Sequence, residues 1–366
     1  MSTGAESGKG LRVVVVGATG NAGVSTLRAL AEDGRVGSVA AVARRVPDAW
    51  TPAKTTWVSA DITSEDAGLR GLFEGADAVI HLAWIFQPTH RPLRTWRTNV
   101  LGTLRVFRAV AEARVPALVH ASSVGAYSPG PRERGRAVDE SWPTHGWPEA
   151  QYCREKAYLE RCLDAFELRH PEIRVVRMRP AFLFAEEAAA EQRRLFAGPF
   201  VPGRLLGPGA VPVVPDLPGL RFQALHSADA GAAYCLAATS GTARGAYNLA
   251  AEPVLDPEAL AEAVGGARVV RLPLAPARAA LSAAWHAHLV PASPELFDAV
   301  RHLPLMDSSR AREELGWTPS RSADEAVAAF LRGLRDVREG PTPTLARRAP
   351  GGGRLREVLT GVGRRP

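Results

Sequence analysis

The stretch from Leu11 to Asp33 constrains the fold more than any other part of the chain. Residues Leu11 to Val16 read LRVVVV, and four consecutive valines suit a strand closed on both faces of a parallel sheet. The turn GATGNAG follows (Gly17, Ala18, Thr19, Gly20, Asn21, Ala22, Gly23), and Val24, Leu27, Leu30 and Ala31 then recur at helical spacing. Strand, glycine turn and helix in this order make a dinucleotide-binding opening. Gly17 permits the tight turn, Gly20 lets backbone approach a pyrophosphate, and Gly23 lets the helix pack on the strand. The free N–H groups and the positive end of the helix dipole then face the phosphates. No Gly-Lys-Ser/Thr follows the turn, which excludes a P-loop.

The same alternation continues through the first 180 residues. Ser38 to Ala43, Thr56 to Ala60, Ala78 to Leu82, Ala117 to Ser122 and Arg174 to Met178 are predicted strands, and residues 94–114 a single long helix. This order predicts an α/β fold, a doubly wound parallel sheet of Rossmann type, with a smaller C-terminal lobe built from the less regular second half. An NAD site usually closes its second strand with Asp or Glu. Here Ala43 is followed by Arg44 and Arg45, whose guanidinium groups suit a 2′-phosphate. NADP is therefore expected over NAD.

The candidate chemistry lies between Ser122 and Lys156. The fifth strand ends in Ser122-Ser123, and Tyr152 and Lys156 stand four apart on one face of a later helix. A free tyrosine has a pKa of about 10, and a nearby ammonium favours the phenolate. With a serine hydroxyl to hold a substrate oxygen, this is an acid/base set that moves a proton while a hydride moves to or from a nicotinamide. Lys156 is one of three lysines in a chain with 42 arginines, which singles it out further.

Composition narrows the partners. At 366 residues the chain can hold one large domain, or one domain with a smaller lobe. We divide it into a polar tail (1–10), a dinucleotide domain (11–180), a mostly substrate-binding lobe (181–337) that returns one strand to the sheet, and a basic linker and tail (338–366). The net charge is +7, of which residues 338–366 carry +5. The folded body thus has little attraction for phosphate chains, and the tail lacks aromatics for base stacking, so no nucleic-acid partner is expected. No apolar run approaches a membrane span, and MSTGAESGKG lacks the apolar core of a signal peptide. Cys153, Cys162 and Cys235 have no metal-ligand spacing and fit a reduced, cytoplasmic protein. His81, His120 and His226 sit near strand ends and are expected to be structural, with no metal.

The chain resembles an extended short-chain dehydrogenase/reductase of the NAD-dependent epimerase/dehydratase group. The matching pieces are GATGNAG (17–23), Asp61-Ile62, His81-Leu82-Ala83, Asn99 in NVLGT, SSVGAYS (122–128), YCREK (152–156), Arg179-Pro180, His226 with Asp229, and DSSRAREELGW (307–317). The resemblance implies that Ser123, Tyr152 and Lys156 are catalytic and that Lys156 also bonds the nicotinamide ribose. It implies a cofactor site lined by Gly17, Thr19, Gly20, Asn21, Ala22, Gly23, Arg44, Arg45, Asp61, Ile62, Leu82, Ala83, Trp84, Asn99, Ser122, Tyr152, Lys156 and Pro180. It also implies a homodimer through helices near residues 94–114 and 150–170.

Departures from the family pattern narrow the reaction. Dehydratases of the group usually carry an acidic pair where this chain has Val124 and Gly125. Epimerases often carry Asn after the sixth strand, where this chain reads RMRPAFLFA (177–185). Arg194, Arg204 and Arg221 remain as phosphate ligands but read better as surface residues. The expected substrate loops are apolar: Trp84-Ile85-Phe86, Trp142, Trp147 and the stretch from Phe196 to Val214. The expected activity is hydride transfer between nicotinamide and a secondary alcohol or ketone. The alternatives are a nucleotide-sugar epimerase with a retained cofactor and a non-catalytic NADPH-binding regulator.

Overall fold

The computed structural model describes residues 10–87, 89–133, 135–197 and 212–346. The polar tail before residue 10, Arg204 with most of the stretch between Phe196 and Val214, and the basic tail from residue 347 lie outside the described residues.

Seven parallel strands form the central sheet: β1 (Leu11–Val16), β2 (Val36–Ala43), β3 (Thr55–Ser59), β4 (Ala78–His81), β5 (Ala117–Ala121), β6 (Arg174–Pro180) and β7 (Gly245–Leu249). Their spatial order is β7-β6-β5-β4-β1-β2-β3, so the chain reverses its direction of travel across the sheet between β1 and β4. Ligands of doubly wound sheets bind above the carboxyl ends of the strands at such a reversal.

The valine run shows why β1 is central. Val13 and Val15 pack into one helical layer with Leu27 and Leu30, while Val14 and Val16 pack into the other with Phe107, Val110 and Leu163. None of the four is more than 1 % exposed. Alternate side chains of one strand thus fill two cores, each contributing roughly 1.5–3 kcal/mol by burial. Helices α1 (Asn21–Glu32) and α2 (Ser227–Thr239) cover the first face, and α3 (Gln151–Arg169) with the helix Thr103–Glu112 covers the second.

The helix predicted over residues 94–114 is not continuous. An α turn from Pro92 to Trp96 passes into a π-helical segment, Arg97–Gly102, before α-helix resumes. The extra residue per turn re-aims Asn99, whose side chain is engaged in tertiary bonds described below.

The second half carries short strands beside the sheet. Phe182–Phe184 pairs in parallel with Phe222–His226, which pairs antiparallel with Ala251–Leu255. Helices Leu274–His286 and Pro294–Val300 lie in the same half. Helix Ala323–Arg335 begins with a reciprocal cap between Ser322 and Glu325. The described part of the expected linker is packed rather than free: Leu345 is 1 % exposed, in a cluster with Val24 and Ala188. Among the described residues no helix is long and apolar enough to cross a membrane.

Candidate active site

Above the carboxyl ends of β1, β4 and β5 lies a cavity of about 750 Å³. Every residue expected at the cofactor or catalytic site lines it, apart from Asn99. The glycine turn fits a dinucleotide. A Cβ on Gly17, whose φ is +89°, would meet the Ala83 nitrogen at 2.5 Å, and one on Gly23 would meet the Gly17 carbonyl oxygen at 2.5 Å. At Gly20 the nearest atom would be 3.7 Å away, so the turn closes tightly onto the sheet while leaving room above its centre. Arg44 and Arg45 line the same cavity just past the end of β2, and Asp61 lines it just past the end of β3.

The two serines after β5 face different ways. Ser122 Oγ donates to Glu160 Oε1 at 2.6 Å and is drawn into a buried charged cluster. Ser123 Oγ accepts from the Gly125 N–H at 3.0 Å and bears on Tyr152. Gly125 is required for that approach: a Cβ there would stand 2.7 Å from Tyr152 Cε1. The tyrosine ring thus leaves no room for a side chain at position 125.

Tyr152 and Lys156 come from the first turns of α3, as their spacing predicts. Their electrostatics differ from expectation. Lys156 Nζ donates to the Ala121 carbonyl at 2.6 Å and lies 3.6 Å from the centre of a Trp84 ring, against 6.0 Å from that of Tyr152. Burial pushes the Tyr152 phenol above its ordinary value, and the Ser123 hydroxyl offsets only part of the rise. The net shift at Tyr152 is upward, set first by burial. Burial also lowers Lys156 itself to about 7, against the pull of the Glu155 and Glu160 carboxylates.

Asn99, expected beside the cofactor, instead braces the loop after β4. Its Oδ1 accepts from Ile85 N at 2.8 Å, and its Nδ2 donates to Ile85 O at 2.8 Å and to Glu155 Oε2 at 2.7 Å. The loop it holds carries Trp84 and Phe86. Phe86 stacks on Tyr152 with ring centres 4.9 Å apart and planes at 14°, and Trp84 meets the same ring edge-on at 5.6 Å.

Trp142 and Trp147, expected as cavity walls, do not line it. Trp142 packs beside Val124 and Tyr127, and Trp147 stacks on His302. Their place is taken by Leu296, Phe297, Val300 and Leu303, from the helix Pro294–Val300 and the chain just after it. The Ser293-Pro294-Glu295 start signals that helix, and Ser293 Oγ accepts from Leu296 N at 3.2 Å. Arg194 is not a free surface residue: it donates to the Thr344 and Ala346 carbonyls. The three strand-end histidines have local roles. His81 Nε2 pairs with Thr103 Oγ1 at 2.8 Å, His120 lies against His81, and His226 Nδ1 caps α2 by accepting from Ala228 N.

Residues 13–250 match the family model described as NAD dependent epimerase/dehydratase family. The chain belongs to that family. An uncharacterised protein of Mycobacterium tuberculosis is 27 % identical over 238 residues, which are 64 % of this chain and 59 % of that one. The match thus spans about three fifths of the relative's length. An L-arabinose 1-dehydrogenase (NAD(P)(+)) of Haloferax volcanii is 36 % identical over 112 residues, 31 % of this chain and 41 % of its own. Among solved structures, a UDP-glucose-4-epimerase from Stenotrophomonas maltophila with bound NAD and formylated UDP-arabinopyranose superposes with a TM-score of 0.67. Its identity is 18 %, covering 89 % of this chain and 98 % of that one, a likeness of fold.

Proposed function

We propose that this family member is an NADP-dependent oxidoreductase that interconverts an apolar ketone and its secondary alcohol, with Tyr152 as the proton carrier. The observation that carries this reading is the setting of Tyr152. Its phenol meets Ser123, its ring is covered by Phe86 and Trp84, and the cavity continues past it over Phe182, Leu220, Phe222, Leu281 and Phe297. Such a wall suits a hydrophobic carbonyl compound.

A bound nicotinamide dinucleotide supplies or accepts the hydride. Ser123 orients the carbonyl oxygen by hydrogen bonding, and Tyr152 donates a proton to that oxygen as reduction proceeds. A phenol is protonated at neutral pH and so carries the proton to be given. Lys156 would hold the ribose next to the nicotinamide, and Arg44 and Arg45 would grip a 2′-phosphate.

A nucleotide-sugar epimerase is the second reading, favoured by the fold of the solved relative and by the ligand its name states. Against it stands the lining of the substrate side. Among the described residues there, Glu191 and Arg193 are the charged side chains, which is thin provision for a diphosphate. A binding competition separates the two. The account expects aryl alkyl ketones to quench the intrinsic fluorescence of the NADPH-loaded protein, and UDP-glucose to leave it unchanged. Tight UDP-glucose binding with no response to the ketones would overturn it in favour of the epimerase.

A further inference from the structure

After helix Ala323–Arg335 the chain returns to its own opening. Thr342 Oγ1 donates to the Thr19 carbonyl at 2.7 Å, and Thr344 Oγ1 donates to the Thr19 hydroxyl at 3.0 Å. Leu345 anchors the segment by burying itself against Val24 of α1 and Ala188. Three backbone bonds close the turn, Leu345 N and Ala346 N to Thr342 O at 3.0 Å each and Gly340 N to Leu345 O at 3.2 Å. On the far side Arg194 donates to the Thr344 carbonyl at 3.0 Å and to the Ala346 carbonyl at 2.7 Å. The strap 342–346 thus ties the glycine turn to the segment Arg193–Ala197 at the substrate side. Thr19 and Thr344 both line the cavity.

We propose that this strap completes the cofactor's phosphate site, with Thr344 as the positioning residue for the Thr19 hydroxyl. The inference rests on the reading that the glycine turn holds a nicotinamide dinucleotide. A hydroxyl has one proton to give and two lone pairs to receive with. Because Thr344 gives its proton to the Thr19 oxygen, Thr19 keeps its own for a third group. The position between Gly17 and Gly20, at the N-terminus of α1, is where a pyrophosphate oxygen comes to rest. A hydroxyl proton fixed toward an anionic oxygen makes a charge-assisted bond, stronger than a neutral one. Thr342 holds the Thr19 backbone at the same time, so the strap stiffens the turn that the dinucleotide must leave. Its removal loosens the phosphate grip and speeds release.

The test uses the full-length chain. Dissociation constants for NADPH, NADH and adenosine 2′-monophosphate, which has no diphosphate, are measured for the unmodified protein, Thr344→Val and Thr344→Ser. Loss of the neutral bond that orients the Thr19 hydroxyl predicts roughly two- to tenfold weaker binding of both dinucleotides to Thr344→Val. Binding of adenosine 2′-monophosphate is expected to be unchanged, and Thr344→Ser to bind the dinucleotides as the unmodified protein does. Leu345→Asp, which expels the anchor, should raise the NADPH dissociation rate in stopped flow about tenfold. Unaltered dinucleotide binding in Thr344→Val, or an equal loss for all three ligands, would overturn the proposal while leaving the glycine-turn reading intact. An unmodified protein that binds neither dinucleotide would overturn both.

Discussion

Arg179 on β6 grips Glu160 on α3 through two parallel bonds of 3.0 Å each, Nε to Oε1 and Nη2 to Oε2. Glu160 lies two helical turns beyond Tyr152 on the same helix, and it also receives Ser122 Oγ and Arg177 Nη1. This buried ion pair therefore fixes β5, β6 and α3 to one another beside Ser123, Tyr152 and Lys156. Removing one partner of such a pair leaves the other charge uncompensated. Glu160→Gln is expected to cost about 3–5 kcal/mol in urea denaturation.

The same group sets an acid limit. Burial opposes the Glu160 charge, but Arg179, Ser122 and Arg177 outweigh it and hold the carboxyl at about 2, below the ordinary 4.5. A folded-state pKa lower than the unfolded one contributes stability above the unfolded value, and that stability is lost as pH falls through the folded one. The melting temperature should therefore decline from pH 4.5 toward pH 2 through this group. A flat profile there in the unmodified protein would contradict the assignment.

Lys156 predicts a trend of the same sign in a higher pH window. Burial lowers it from 10.5 to about 7, so between these values the unfolded chain holds a proton that the folded one does not. Stability from this group rises with pH across that window. Lys156→Met should remove the rise and lift the neutral-pH melting temperature by roughly 2–4 °C, while impairing cofactor binding.

Tyr152→Phe keeps the ring that stacks on Phe86 and removes the proton. The proposed role predicts a fall in kcat of about a hundred- to ten-thousandfold, with the NADPH dissociation constant unchanged. Parallel loss of kcat and cofactor binding would indicate a structural role instead.

The pair Arg44 and Arg45 is tested by Arg44→Ser with Arg45→Ser. NADPH binding should weaken about ten- to a hundredfold and NADH binding by less than about twofold. Equal loss for both cofactors would place these side chains away from a 2′-phosphate.

How much of this was legible in the sequence depends on how local each signal is. The valine strand, the glycine turn and the Tyr152–Lys156 spacing are written in short windows, and the structure brings them to one cavity. What lay hidden is tertiary. Nothing local to Ser122-Ser123 says that Ser122 turns to Glu160, because the pull comes from a cluster with Arg177 and Arg179, more than fifty residues on. GPTPTLA reads as a linker because its one large apolar residue, Leu345, finds its partners Val24 and Ala188 far away in the chain. The π-helical turn at Asn99 answers bonds to Ile85 and Glu155 rather than any pattern within residues 94–114. Spacing puts Lys156 on the helix of Tyr152, but its contacts with Ala121 and Trp84 are tertiary and have no local signal.

The central claim is net hydride transfer to an apolar carbonyl at Tyr152. The most direct measurement supplies NADPH deuterated at the transferable position, together with an aryl alkyl ketone, and analyses the products by mass spectrometry. The account predicts a secondary alcohol carrying the deuterium, formed one for one with oxidised cofactor. An inert ketone, together with conversion of UDP-glucose to its epimer and no net change in cofactor, would contradict it.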